Sequence, residues 1–237
     1  MKKKQHFVPR MVLKNFCIEN EPGKCWEYSL HNKSFSKRII DDLCAQNYLY
    51  EIRDDNGLFY YEDGKNVVEN GFGQIETQFA PFLESLISRL EQETTLIIAP
   101  NDLELLYVWI SFLIIRNPII LHAIPLVAKE MGINIESKLS KSYNFVELMP
   151  FLLEKFTNDL KKGHIEFYKA NASYSFVISD IPVIIKGTPL YKFCYYPISS
   201  SFAMVVKEPE TAITDVHKCI VKELDNAEVM KQNYMMF

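Results

Sequence analysis

Phe156-Thr157-Asn158-Asp159-Leu160-Lys161-Lys162-Gly163-His164-Ile165-Glu166-Phe167-Tyr168 is the stretch in which the chain changes its hydrophobic period. Upstream of it, Phe145, Leu148, Phe151, Leu152, Phe156 and Leu160 recur every three or four residues. That spacing gathers apolar side chains on one side of a helix, expected here over 144–162. Lys161-Lys162-Gly163 supplies the stop, with cations beside the last carbonyls and then a glycine. Downstream, β-branched and aromatic runs at 165–168, 174–178, 183–185, 192–196 and 202–206 are separated by turn residues and read as strands. A closing helix is expected over roughly 215–231.

Toward the N-terminus, Phe72, Ile75, Phe79, Phe82, Leu83, Leu86, Ile87 and Leu90 mark another long amphipathic helix, with a kink or restart expected at Pro81. Asn101 or Asp102 can cap the next helix, which runs through Trp109 to Arg116, and Pro118 and Pro125 bend or break the segment after it. Two hairpins are expected ahead of the helices. One joins 25–30 to 34–36 across His31-Asn32-Lys33. The other joins 48–52 to 58–61 across Asp54-Asp55-Asn56-Gly57, where Asn-Gly suits a tight turn. A short helix can start at Pro9. The fold class is therefore α+β: N-terminal β-hairpins, central long helices, and a C-terminal, mostly antiparallel sheet with a closing helix. With no repeat and no Gly/Ser linker, one domain over 1–237 is expected, its helical centre at about 72–162 and its β-rich part at about 165–206.

Hydrophobic residues at 48% and aromatic residues at 13% of 237 positions provide for a sizeable core and exclude a disordered or collagen-like chain. The net charge of −4 argues against a broadly basic nucleic-acid binder, though not against a local basic site. Five cysteines, none in a C-x-x-C pair, point to reduced thiols in a cytoplasmic setting and away from a structural zinc. The lysines at 2–4 lack the apolar segment of a signal peptide and read as a solvated tail. The longest apolar run, 105–115, falls short of the ~20 residues of a membrane span, and Arg116, Asn117 and His122 come after it, so no membrane partner is expected.

No P-loop, G-x-G-x-x-G, H-E-x-x-H or G-x-S-x-G occurs, and the five histidines show no metal-ligand spacing. Four local features carry the candidate chemistry. His6, with Arg10 close behind on an apolar, proline-stiffened segment, can act as a general acid or base; the simpler reading is a capping His and a surface Arg. Arg116 ends a very apolar helix and needs an anion, either a protein carboxylate or a ligand phosphate. Glu76 lies on a helix stripe and is either turned inward or an ordinary surface Glu. Ser179 and Asp180 stand between two apolar runs, either facing a cleft or making a turn before Pro182.

The same four places carry a family resemblance. Gln5-His6-Phe7-Val8-Pro9-Arg10 with Leu13-Lys14-Asn15-Phe16, then Asp42-Leu43-Cys44-Ala45 through Tyr50, Ile75-Glu76 and Ile115-Arg116-Asn117-Pro118 occur in order. They precede Phe176-Val177-Ile178-Ser179-Asp180-Ile181-Pro182-Val183, Tyr196-Pro197-Ile198-Ser199 and Val221-Lys222-Glu223-Leu224-Asp225. This series resembles, over nearly the whole chain, the bacterial and phage-associated domain of unknown function numbered 4238. Ile181 and Asp225 stand where that family usually has Asn. The resemblance implies no established activity. It implies that His6, Glu76, Arg116, Ser179 and Asp180 are polar landmarks in apolar surroundings, which either satisfy one another or form a site.

Two functions are expected on these grounds. In the first, the chain is an effector enzyme on a nucleotide, nucleic-acid or other phosphate substrate, such as a phage-defence or toxin-like nuclease. His6 is the acid/base, Arg10 and Arg116 hold the anion with Ser179, and Glu76 and Asp180 orient His6 or hold a divalent metal ion. In the second, it is a non-catalytic ligand-sensing or protein-interaction module whose polar cluster is structural.

Overall fold

A computed structural model of the chain describes residues 4–51, 67–130, 141–171, 173–186, 193–208 and 217–237. The short strand β1 (Lys4–His6) pairs antiparallel with β4 (Ala45–Asn47). Pro9 precedes the one-turn helix α1 (Arg10–Leu13), as its fixed φ allows. Between them β2 (Lys24–Ser29) and β3 (Ser34–Ile39) form the expected first hairpin. The second expected hairpin is only partly within the described residues. Its first arm begins as a turn at 48–50, with Tyr48 at φ 56°, and 52–61 lies outside them.

The helical centre comprises α2 (Val67–Gln92), α3 (Pro100–Ile115), α4 (Pro118–Glu130) and α5 (Lys141–Leu160). Pro81 does not restart α2, and Pro150 lies inside α5 in the same way. Both prolines are exposed, so water can take the carbonyl that each deprives of its N–H partner. α4 starts at Pro118 and continues through position 125. The start of α3 differs from expectation. Ala99 is its N-cap and Pro100 its first residue, so neither Asn101 nor Asp102 caps it. In α5, Phe151 is exposed, and Thr157 takes a buried place on the stripe through a 3.1 Å hydrogen bond to Ser111 Oγ.

The C-terminal sheet has six strands in the order β5-β10-β6-β9-β8-β7. These are β5 (Thr95–Ile97), β6 (His164–Ala170), β7 (Ile184–Ile185), β8 (Phe193–Pro197), β9 (Phe202–Lys207) and β10 (Lys218–Leu224). Only the β10–β6 pair is parallel. Successive residues of β9 go to opposite faces, both apolar. Phe202, Met204 and Val206 join the large core shared with the helices, whereas Ala203 and Val205 join a second cluster with Phe176, Leu224 and Val229. A sheet covered on both faces explains the unbroken apolar run at 202–206.

One strand and one helix expectation are corrected. Residues 174–178 form no strand: the Phe176 N–H donates to the Ser200 carbonyl and the Val177 N–H to Asn233 Oδ1, so no ladder is available. The closing helix, α6 (Asn226–Asn233), begins later than expected because 218–224 is strand β10, inserted between β5 and β6. The proposed start at 215–216 lies outside the described residues.

Candidate functional site

Arg116 is the C-cap of α3, and its side chain turns back into the protein, where it is only 1% exposed. Nη1 donates to Glu76 Oε1 of α2 at 2.6 Å, and Nη2 donates to the backbone carbonyl of His6 in β1. The guanidinium carbon lies 4.9 Å from the ring centroids of both Phe72 and Phe112, within cation–π range. Nε finds no hydrogen-bond partner among the described residues.

The network extends through groups outside the four features singled out in the sequence. The Tyr50 hydroxyl donates to the Arg116 carbonyl. The Tyr50 N–H donates to Gln5 Oε1 at 2.7 Å, and Gln5 Nε2 donates to Glu51 Oε1 at 2.8 Å. Burial drives the Tyr50 phenol well above its usual pKa, so it stays a donor. Gln5 and Tyr50 belong to the sequence blocks that carry the resemblance, a signal that could have found them. The Glu51 contact arises from the turn after β4, which local periodicity does not announce.

His6 contributes its main chain to Arg116, not its ring. The imidazole is half-buried, with Nε2 3.3 Å from the Ile40 carbonyl. Its pKa is lowered chiefly by burial. The Ile40 carbonyl opposes this, the charges of Arg10 and Arg116 reinforce it, and Asp41 opposes it weakly. Arg10 is exposed and bonds Asp41 at 2.6 Å, so its guanidinium remains at the surface.

Ser179 and Asp180 join the assembly through the backbone. The Asp180 carbonyl accepts from Asn117 Nδ2 at 3.1 Å, while Asn117 Oδ1 accepts the Ile119 N–H at 2.9 Å at the start of α4. Ser179 Oγ accepts the Ile181 N–H and donates to the Ile181 carbonyl, the side-chain-closed turn open to it from sequence. The Asp180 carboxylate is exposed; after burial, its charge is the next cause raising the Cys44 thiol to about 12. Arg116, Glu76 and the His6 backbone thus meet directly, the Asp180 backbone is tied to Asn117, the residue after Arg116, and the side chains of Arg10, Ser179 and Asp180 stay outside.

Among the described residues no group of three or more His, Cys, Asp or Glu is placed to hold a metal ion. Two shallow depressions lie along α2. One of about 360 Å³ is lined by Glu69, Asn70, Gly73, Gln74, Thr77 and Gln78, and one of about 310 Å³ reaches Val146 and Met149 of α5. Neither is lined by His6, Arg116 or Asp180. No described helix is long and apolar enough to cross a membrane.

No curated protein and no solved structure matches the chain. The family model described as "Protein of unknown function (DUF4238)" matches residues 4–237, and the chain belongs to that family.

Proposed function

We propose that this chain is a non-catalytic recognition module in which the polar landmarks are structural. The observation that carries this reading is the state of Arg116: almost fully buried, stacked near two phenyl rings and engaged by Glu76 and the His6 carbonyl. Both terminal nitrogens of that guanidinium are already engaged, so a phosphate taking their place would have to displace a largely buried charge pair, which costs several kcal/mol. The network instead ties the N-terminal motif, the helical centre and the 179–182 turn together. We further infer one domain over 1–237, supported by an apolar cluster that runs from Phe7 to Cys219. The free thiols of all five cysteines support a cytoplasmic setting.

An enzyme acting on phosphate-containing substrates is the second reading, favoured by one observation. A half-buried imidazole with a lowered pKa stands near the exposed Arg10 guanidinium, so a neutral base and a surface cation are neighbours. Incubating the purified protein with RNA, DNA and nucleotides, with and without Mg²⁺ or Mn²⁺, separates the two. The recognition reading expects no turnover and a large stability loss in Arg116→Ala. Turnover that disappears in His6→Ala at unchanged stability would overturn it in favour of the enzyme.

A further inference from the structure

The β2–β3 ribbon carries an arrangement that the Arg116 network does not use. In register, Tyr28 faces Phe35, Trp26 faces Lys37 and Lys24 faces Ile39, so these six side chains share one face. The other face is rooted by buried Cys25, whose Sγ lies 3.6 Å from the Leu13 carbonyl, and it carries the Glu27–Arg38 pair. The aromatic face is therefore turned outward: Trp26 is 59% and Phe35 72% exposed. Tyr28 and Phe35 are 4.8 Å apart, and Phe237 stands edge-on to Tyr28 at 6.1 Å.

Charge distinguishes this face from a plain apolar patch. Lys37 lies over Trp26, 5.2 Å from the ring centroid. Lys24 and Lys37 share a single carboxylate, Glu21, and Lys33 adds a further cation at the hairpin turn. The ribbon face is thus locally cationic on a chain whose net charge is −4. Exposed rings with Lys37 among them and Lys24 and Lys33 at the two ends of the row complement a ligand that carries both flat apolar rings and anions. A partner seated by apolar contact alone would gain nothing from those cations.

We propose that the Trp26, Tyr28 and Phe35 face binds single-stranded nucleic acid. Bases stack on Trp26 and Phe35, the phosphate between them meets Lys37, and the flanking phosphates meet Lys24 and Lys33. Paired bases present no free ring faces, so duplex binds more weakly. This assignment rests on the recognition-module reading and names its partner.

The test is fluorescence anisotropy of the full chain with a labelled oligothymidylate of about 16 nucleotides, in low salt. Binding is expected, with Trp26→Ala and Phe35→Ala each weakening it by about tenfold. Lys37→Ala should lower the slope of log affinity against log salt by about 1. All three side chains are exposed, and an unchanged melting temperature confirms that each variant is folded. Absence of binding in low salt, or binding indifferent to both aromatic substitutions, overturns the proposal. So does sedimentation showing that this face pairs two copies and that the pair takes no oligonucleotide. Running the oligonucleotide on a gel afterwards separates the two claims. A bound and cleaved oligonucleotide removes the non-catalytic reading but keeps the stacking face; an intact, unbound one removes the stacking face alone.

Discussion

Arg116 joins α3 to α2 and to β1 through one buried side chain. Arg116→Ala leaves Glu76 and the His6 carbonyl without their cation and opens a hole beside the Phe72–Phe112 ring pair. We expect a loss of roughly 3–5 kcal/mol in urea unfolding. Glu76→Gln keeps an acceptor at the same place but removes the counter-charge of a buried guanidinium, and should cost about 2–3 kcal/mol. His6 sets a pH dependence of defined sign. Its folded pKa lies below the ordinary 6.5, so the unfolded chain binds the proton first. Its contribution to stability is full above pH 6.5 and declines as pH falls through that value toward the folded pKa. Urea midpoints of the wild type and His6→Gln, compared at neutral and mildly acidic pH, should converge on acidification; a difference independent of pH would refute this. The sequence already required an anion for Arg116, because a cation at the end of so apolar a helix cannot stay unpaired. It did not reveal that His6 offers a carbonyl, since every residue has one and only β1–β4 pairing aims this one.

At the level of elements, two joints set where regular structure stops and starts. Asp225 caps α6 with a complete capping box: its carboxylate accepts the Glu228 N–H at 2.8 Å, and Glu228 accepts the Asp225 N–H at 3.1 Å. Asp225→Ala should therefore cost about 1 kcal/mol in thermal unfolding and increase hydrogen exchange in α6, whereas Asp225→Asn should lose little, since both residues cap well. Gly163, between α5 and β6, is required by space: an added Cβ would lie 2.5 Å from Val206 Cγ1 and 3.2 Å from the Lys207 carbonyl. Gly163→Ala should cost roughly 1–3 kcal/mol by forcing β9 away from the joint, read as a fall in the urea midpoint; an unchanged midpoint would count against this packing. The α5-to-β6 switch was legible because period and stop residues agreed. β10 was not, because Lys218-Cys219-Ile220-Val221-Lys222-Glu223-Leu224 lacks a clean strand alternation and gains its strand character from β5 and β6 on either side. β5 is only three residues long, too short for any period to register.

For the whole molecule, the question is whether the N-terminal motif is an appendage or part of the core. Phe7, Val8, Val12 and Leu13 lie in the same apolar cluster as Phe79 and Trp109 of the helices and Phe167 and Tyr196 of the sheet. Polar ties run the same way. The Ser200 N–H donates to the Asn15 carbonyl at 3.1 Å, and Asn15 Nδ2 donates to the Ile198 carbonyl at 3.3 Å. Opening the N-terminal segment therefore uncovers part of the core that the helices and the sheet share. Unfolding should then be a single cooperative event. Its measurement uses Trp26→Phe, which leaves Trp109, buried in α3, as the sole tryptophan reporter. Its fluorescence and the far-UV circular dichroism should trace one coincident urea transition. Val8→Ala, at a fully buried position, should shift both traces together by about 2 kcal/mol. Two separated transitions, or a Val8→Ala effect confined to one probe, would instead divide the chain into independently folding units and make the N-terminal motif a local attachment.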